Sequence, residues 1–157
     1  MVAASLLVVD DDEEIRGLLK DYFQGIGYVV ATAEGGHEAL QKLNSVKVDC
    51  IISDFVMPEM DGLELLRRMR AENMNMPFLM NTGHPSVDSA VEAMKAGAYD
   101  YISKPLELED VRIKVERALY TKKLERSVKT VNGIIWAVLI SIPLWLILGI
   151  VMGKVWK

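Results

Sequence analysis

Four short apolar runs in this sequence each stop at residues capable of chemistry. Leu6-Leu7-Val8-Val9 ends in Asp10-Asp11-Asp12, and Cys50-Ile51-Ile52-Ser53 ends in Asp54. The run from Phe78 ends in Thr82-Gly83, and the run from Tyr99 in Ser103-Lys104-Pro105. If the runs are strands of one sheet, these residues share an edge, with carboxylates a few ångströms apart. Two such charges about 4 Å apart repel by roughly 4 kcal/mol at an effective dielectric of about 20. They stay ionised together only beside a cation; otherwise one takes up a proton. A cluster of hard oxygen donors suits Mg²⁺, which takes one or two carboxylates, waters and a phosphate. A strand-end carboxylate beside that ion is a nucleophile toward a phosphoryl group. The ion, the Lys104 ammonium and the Thr82 hydroxyl would then divide the three equatorial oxygens of the group in transfer.

Such an edge needs elements to hold it. Residues 6–9, 28–33, 50–53, 78–80 and 99–102 are short, apolar and rich in β-branched or aromatic residues, which predicts strands. Between them, 14–23, 37–43, 63–71 and 87–96 carry apolar residues at helical spacing, with Ile15, Leu18, Leu19 and Tyr22 as one face. Gly25, Gly27, Gly35-Gly36 and Gly97 punctuate the helix ends and entries, where positive φ is often needed. Strand–helix units repeated along the chain predict an α/β fold, a five-stranded parallel sheet covered by helices on both faces. In doubly wound sheets of this kind the functional crevice lies beyond the carboxyl ends of the strands. A last soluble element spans 106–131. Leu108, Val111, Val115, Ala118 and Leu119 give its first half an apolar stripe, and its charged second half reads as a solvated stalk.

These segments resemble a known family. Leu7-Val8-Val9-Asp10-Asp11, Ser53-Asp54-Phe55-Val56-Met57-Pro58-Glu59-Met60-Asp61-Gly62, Asn81-Thr82-Gly83-His84 and Gly97 through Pro105 are similar to the receiver domain of two-component response regulators. The resemblance covers roughly residues 4–122, in order and at the usual intervals. It implies a doubly wound, flavodoxin-like sheet of order 2-1-3-4-5 with five helices. It further implies that Asp54 accepts a phosphoryl group from a histidine kinase or a histidine phosphotransfer protein. Asp11 and Asp54 through their carboxylates, Asp10 through water, and the backbone carbonyl of Val56 are the implied Mg²⁺ ligands, and Lys104 is the implied partner of the phosphoryl oxygens. Thr82 and Tyr101 match the hydroxyl and aromatic positions that move together on activation. The Lys104-Pro105 bond matches one that is commonly cis, a conformation that proline makes accessible. His84 matches a position that influences the lifetime of the acyl phosphate.

Other candidates read more plainly. Asp12 is a helix-start acid rather than a ligand, and Asp61-Gly62 makes the turn into the third helix. His37 and His84 lack a partner at metal-ligand spacing. Cys50, the sole cysteine, sits in an apolar run as a small buried hydrophobe. The methionines read as packing.

At 157 residues the chain can hold one full core. Its net charge of -4 is unevenly spread: residues 1–104 carry 9 Lys/Arg against 17 Asp/Glu, whereas Arg117, Lys122, Lys123, Arg126 and Lys129 are offset within 117–132 only by Glu125. An acidic head argues against nucleic-acid binding. From 133 to 152 there is no charged residue, and twelve of the twenty are Leu, Ile or Val. A helix of that length spans about 30 Å, the hydrocarbon thickness of a bilayer. The expected organisation is a receiver domain at 1–122, a basic juxtamembrane stalk at 123–132, a transmembrane helix at 133–152 extending the fifth helix, and a short tail at 153–157. Pro143 would kink the span, or bend it into a re-entrant hairpin. No output domain is expected after the receiver, and insertion would follow completion of the chain. The basic neck places the receiver on the cytoplasmic side of a bacterial inner membrane.

The expected function is a membrane-tethered, single-domain switch that signals through phosphorylation-dependent binding to a further protein, and not an enzyme with a separate substrate. The alternative is an intermediate phosphate carrier in a multistep relay. A phosphohydrolase of the haloacid-dehalogenase kind would use the Asp10-x-Asp12 spacing, but the usual threonine two residues later is Glu14.

Overall fold

The computed structural model describes residues 3–125, 127 and 128. Nine elements alternate along the chain: β1 (Ser5–Val9), α1 (Glu13–Gly25), β2 (Val29–Ala33), α2 (Gly36–Leu43), β3 (Cys50–Asp54), α3 (Gly62–Ala71), β4 (Phe78–Thr82), α4 (Val87–Lys95) and β5 (Asp100–Ser103). A further helix, α5, begins at 108. The strands form one sheet of order β2-β1-β3-β4-β5, and every pairing is parallel. This is the expected doubly wound arrangement, and its crossovers put helices on both faces.

Burial explains the apolar strands. Leu7, Val9, Ile51 and Met80 face one core with Ala39 of α2, Leu65, Leu66 and Met69 of α3, and Ala93 of α4. Leu6, Val8, Ile52, Leu79 and Ile102 face the other, with Leu19 and Phe23 of α1 and Val111, Val115 and Ala118 of α5. Each fully buried Leu, Ile or Phe side chain contributes about 1.5–3 kcal/mol, so the central strands lock the register from both sides. Local chemistry starts the helices. Asp12 caps α1 by accepting from Glu14 N at 2.9 Å, Asp61 caps α3 by accepting from Glu64 N at 2.7 Å, and Ser86 caps α4 reciprocally with Ser89.

Two expectations need correction. β4 runs to Thr82 rather than stopping at 80, because Asn81 and Thr82 continue the ladder opposite Asp54, Ile102 and Ser103 despite their polarity. Of the punctuating glycines, only Gly27 and Gly97 take positive φ. Gly35 is extended, Gly25 ends α1 as a helical residue, and Gly36 serves close approach to the Met60 side chain.

The chain divides after Tyr120 into two units; the described part of the second, 121–125, 127 and 128, is helical. Among the described residues no helix is long and apolar enough to cross a membrane. The end of the expected stalk, the expected span at 133–152 and the tail at 153–157 lie outside the described residues.

Candidate functional site

β1 and β3 are adjacent, and their register pairs Val9 with Ser53, so the next residues, Asp10 and Asp54, are neighbours at the carboxyl edge. Asp10 is 1% exposed and Asp54 7%, whereas Asp11, one residue on, is exposed. Asp10, Asp11 and Asp54 each offer an oxygen within 4.8 Å of the others'. β5 brings in the cation: Lys104 Nζ donates to Asp10 Oδ2 and to Asp54 Oδ2, both at 3.1 Å. Its backbone is fixed by Lys104 N donating to Thr82 O at 2.7 Å, and the Lys104-Pro105 bond is cis.

The remaining carboxylate oxygens are held locally. Asp54 Oδ1 accepts from Phe55 N at 2.8 Å, and Asp10 Oδ1 from Asp12 N at 3.0 Å. Arg16 reaches back from α1 to donate to Asp10 O at 2.7 Å. Burial pushes the Asp10 carboxyl above its ordinary range; the Asp12 N–H opposes this, the Asp54 charge adds to it, and Lys104 opposes it again. For Lys104, burial works against the ammonium, but its hydrogen bonds to Asp54 and Asp10 and their charges outweigh it, so its affinity for the proton is raised.

One ammonium faces three carboxylates, two of them buried. That donor set, hard oxygens in mutual reach with surplus negative charge, fits a divalent cation such as Mg²⁺. When bound, the ion would supply charge neutralisation at the oxygens of an incoming phosphoryl group.

The structure brings Asp10, Asp11, Asp54 and Lys104 together by direct contact or mutual reach. Thr82 is buried at the end of β4, and its Oγ1 accepts from His84 N at 3.2 Å. Tyr101 is half-buried on β5 and its hydroxyl is 2.8 Å from Ser89 Oγ on α4. The two expected switch residues therefore hold different partners. Val56 stands two residues past Asp54 with its side chain exposed; the expectation there concerns its carbonyl.

Sequence reasoning missed three participants. Arg16 and Ser89 give no signal in the sequence, because each is an ordinary surface residue type on a helix. Asn81 did give one: it is a carboxamide in an otherwise apolar run. Its side chain is 1% exposed, and neither Nδ2 nor Oδ1 has a hydrogen-bond partner among the described residues. A buried polar group left unsatisfied costs about 1–3 kcal/mol.

Comparison with known proteins agrees with this geometry. The model of the response regulator receiver domain matches residues 6–116. The chain is 40% identical over 122 residues to the transcriptional regulatory protein ZraR of Klebsiella oxytoca, a match covering 78% of this chain and 28% of that protein. It is 38% identical over 128 residues to the DNA-binding transcriptional regulator NtrC of Salmonella typhimurium, covering 80% of this chain and 27% of that one. The chain thus spans little more than a quarter of the length of these curated relatives. Among solved structures, a response regulator receiver domain protein from Clostridium thermocellum superposes with a TM-score of 0.72 at 34% identity, covering 77% of this chain and 98% of that one. The family implies a histidine kinase as phosphodonor. With fold, acidic edge and relatives in agreement, this chain belongs to the response regulator receiver domain family.

Proposed function

We propose that Asp54 is the phosphoacceptor of a membrane-tethered switch whose output is a change in what the receiver binds. One observation carries the reading: Asp54 is nearly buried, ends a central strand, lies in mutual reach of Asp10 and Asp11, and has Lys104 Nζ 3.1 Å from its Oδ2. Asp10, Asp11 and Asp54, with the Val56 carbonyl, would hold Mg²⁺. In the transfer, an Asp54 carboxylate oxygen bonds to phosphorus as the bond from phosphorus to the histidine nitrogen of the donor breaks. Lys104 is positioned to exchange a carboxylate partner for a phosphoryl oxygen. The Thr82 hydroxyl, which now accepts from His84 N, would follow it and release that N–H.

The consequence would pass to α4 and β5, where the Tyr101 hydroxyl is tied to Ser89. That face presents Val87, Val91 and Met94 to solvent, 80%, 45% and 49% exposed, which suits a protein partner. Direct nucleic-acid contact by the receiver is not part of the proposal, because residues 1–104 carry 17 acids against 9 bases. The regulatory roles in the relatives' names belong to those longer proteins. The chain acts here as a phosphoacceptor rather than as an enzyme on a separate substrate. The uncharged segment 133–152 would hold it at a bacterial inner membrane with the receiver facing the cytoplasm.

The test is incorporation of labelled phosphoryl from a histidine kinase, or from a small-molecule donor, with Mg²⁺ present. Label should appear on the native chain and be absent from Asp54→Asn; equal labelling of the two would refute the assignment. Mg²⁺ alone should raise the unfolding midpoint of the native chain, as any ligand of the folded state does, and raise it less in Asp54→Asn. Onward transfer of the label to a histidine phosphotransfer domain would place the chain within a relay.

A further inference from the structure

The two unpartnered groups of Asn81 stand in the row of residues that contains the phosphoacceptor. Side chains two apart on a strand share a face. Asp10 follows Val8 by two, Asp54 follows Ile52, Asn81 follows Leu79, and Lys104 follows Ile102; all four of those apolar residues lie in the same core. The ladder pairs Asp54 with Asn81 directly. Adjacent strands are roughly 4.8 Å apart, so the carboxamide is the immediate same-face neighbour of the Asp54 carboxylate, on the side away from Asp10. The backbone strengthens the connection: Phe55 N donates both to Asn81 O at 2.6 Å and to Asp54 Oδ1 at 2.8 Å. Two of the three N–H donors of Lys104 are used, on Asp10 and Asp54. A buried position paired with Ile102 and on the same sheet face as Leu79 and Ile52 would be filled at lower cost by Val or Leu, so the amide needs a reason beyond packing.

We infer that Asn81 is a positioning residue that sets the lifetime of the phosphorylated state through Asp54. This rests on Asp54 being the acceptor. In hydrolysis, a water oxygen bonds to phosphorus while the bond from phosphorus to the Asp54 oxygen breaks. The electron pair of that bond stays on Asp54 and restores its carboxylate, and both protons of the water leave on inorganic phosphate. Negative charge therefore returns to Asp54 in the transition state. A buried N–H donor on the neighbouring strand, unpartnered in the resting state, can form a hydrogen bond to it at that moment. Asn81 Nδ2 is that donor, and Oδ1 is an acceptor for the third N–H of Lys104 as the lysine adjusts. Loss of the donor slows hydrolysis, so the phosphorylated form lives longer.

The experiment compares Asn81→Val with Asn81→Thr in the full chain. These variants have nearly the same shape and differ by one hydroxyl donor. Phosphorylated half-life and denaturant midpoint are measured on both and on the native chain. Asn81→Val is expected to lengthen the half-life by about three- to tenfold. Asn81→Thr should bring it back toward the native value. Asn81→Val should also raise the midpoint, by removing an unpaired amide from the core. A raised midpoint with half-lives within about twofold in all three proteins would overturn the inference and leave Asn81 a buried polar residue only. If Asn81→Val does not fold, Asn81→Thr and the Asn81 side-chain amide resonances of the native chain decide. Those protons should shift and gain protection on phosphorylation, and unchanged resonances would equally overturn it. Failure of the native chain itself to take label at Asp54 would sink the acceptor assignment instead, a separate and visible outcome.

Discussion

At the residue scale, Lys104 makes two predictions distinct from those of the acids around it. Its ammonium is the one group donating to both Asp10 and Asp54 among the described hydrogen bonds. Lys104→Ala leaves the carboxylates facing one another and removes the cation that would follow the phosphoryl group. The initial rate of label uptake is expected to fall about tenfold or more, each factor of ten corresponding to about 1.4 kcal/mol of transition-state stabilisation. An unchanged uptake rate would count against its role. Cys50 makes a prediction of a different kind. Burial pushes its thiol from 9.0 up to about 12. Well below pH 9.0 the folded and unfolded thiols both hold their proton and the group is silent. As pH rises from 9.0 toward 12 the unfolded thiol ionises while the folded one does not, so stability is lost across that window. The loss is about 1.4 kcal/mol per pH unit at most. Urea midpoints measured below and one unit above pH 9.0 should fall more steeply for the native chain than for Cys50→Ala. The acids and Lys104 were legible because each ends an apolar run and carries a charge that an apolar strand cannot hide. Asn81 was passed over because a neutral amide in such a run resembles a strand end, and its lack of partners exists only in three dimensions.

At the element scale, the strands and helices were legible from period and burial, and the errors fell where a polar residue continues a strand. Phe78-Leu79-Met80 announces β4, but Asn81 and Thr82 extend it because the neighbouring strands supply partners on both sides. The entry to α3 shows what such packing demands. A Cβ on Gly62 would lie 2.1 Å from the carbonyl oxygen of Asp54 and 2.9 Å from Met80 Sδ. Backbone cannot yield there cheaply, so Gly62→Ala should destabilise the fold by about 1–3 kcal/mol, an overpacking cost, measured by urea unfolding. It should also slow label uptake, because the atom displaced belongs to Asp54, the proposed phosphoacceptor. The α4 entry behaves differently. Ser89 serves both the Ser86 cap and the Tyr101 hydroxyl. Ser89→Ala should cost about 1 kcal/mol, speed amide exchange in the first turn of α4, and leave the rate of label uptake at Asp54 within about twofold of native. Slowed uptake without faster exchange at α4 would mean that Ser89 acts on the pocket rather than on the helix it caps.

At the scale of the whole molecule, the receiver was legible because four separated motifs fix its order, whereas the rest of the chain speaks through composition alone. Residues 133–152 carry no charge and hold twelve Leu, Ile or Val. At roughly -0.3 to -0.6 kcal/mol each near a bilayer centre, those twelve contribute on the order of -4 to -7 kcal/mol toward insertion. Pro143, Ser141 and the glycines reduce that sum without reversing its sign. The charges flanking the segment are unequal: Arg117, Lys122, Lys123, Arg126 and Lys129 precede it, and Lys154 and Lys157 follow. If the segment inserts, translocating the two lysines is the cheaper direction, which would keep the acidic receiver on the side of the proposed phosphodonor and Mg²⁺. The full chain should therefore sediment with membranes and resist extraction by alkaline carbonate, while a chain truncated after 132 should stay in the supernatant. A merely electrostatic attachment through the basic neck would be released by high salt, because those charges act over about a Debye length. Release of the full chain by salt, or identical fractionation of the two chains, would refute the tether. Label uptake by the truncated chain in solution should match that of the full chain, since every residue of the acidic pocket lies before 105.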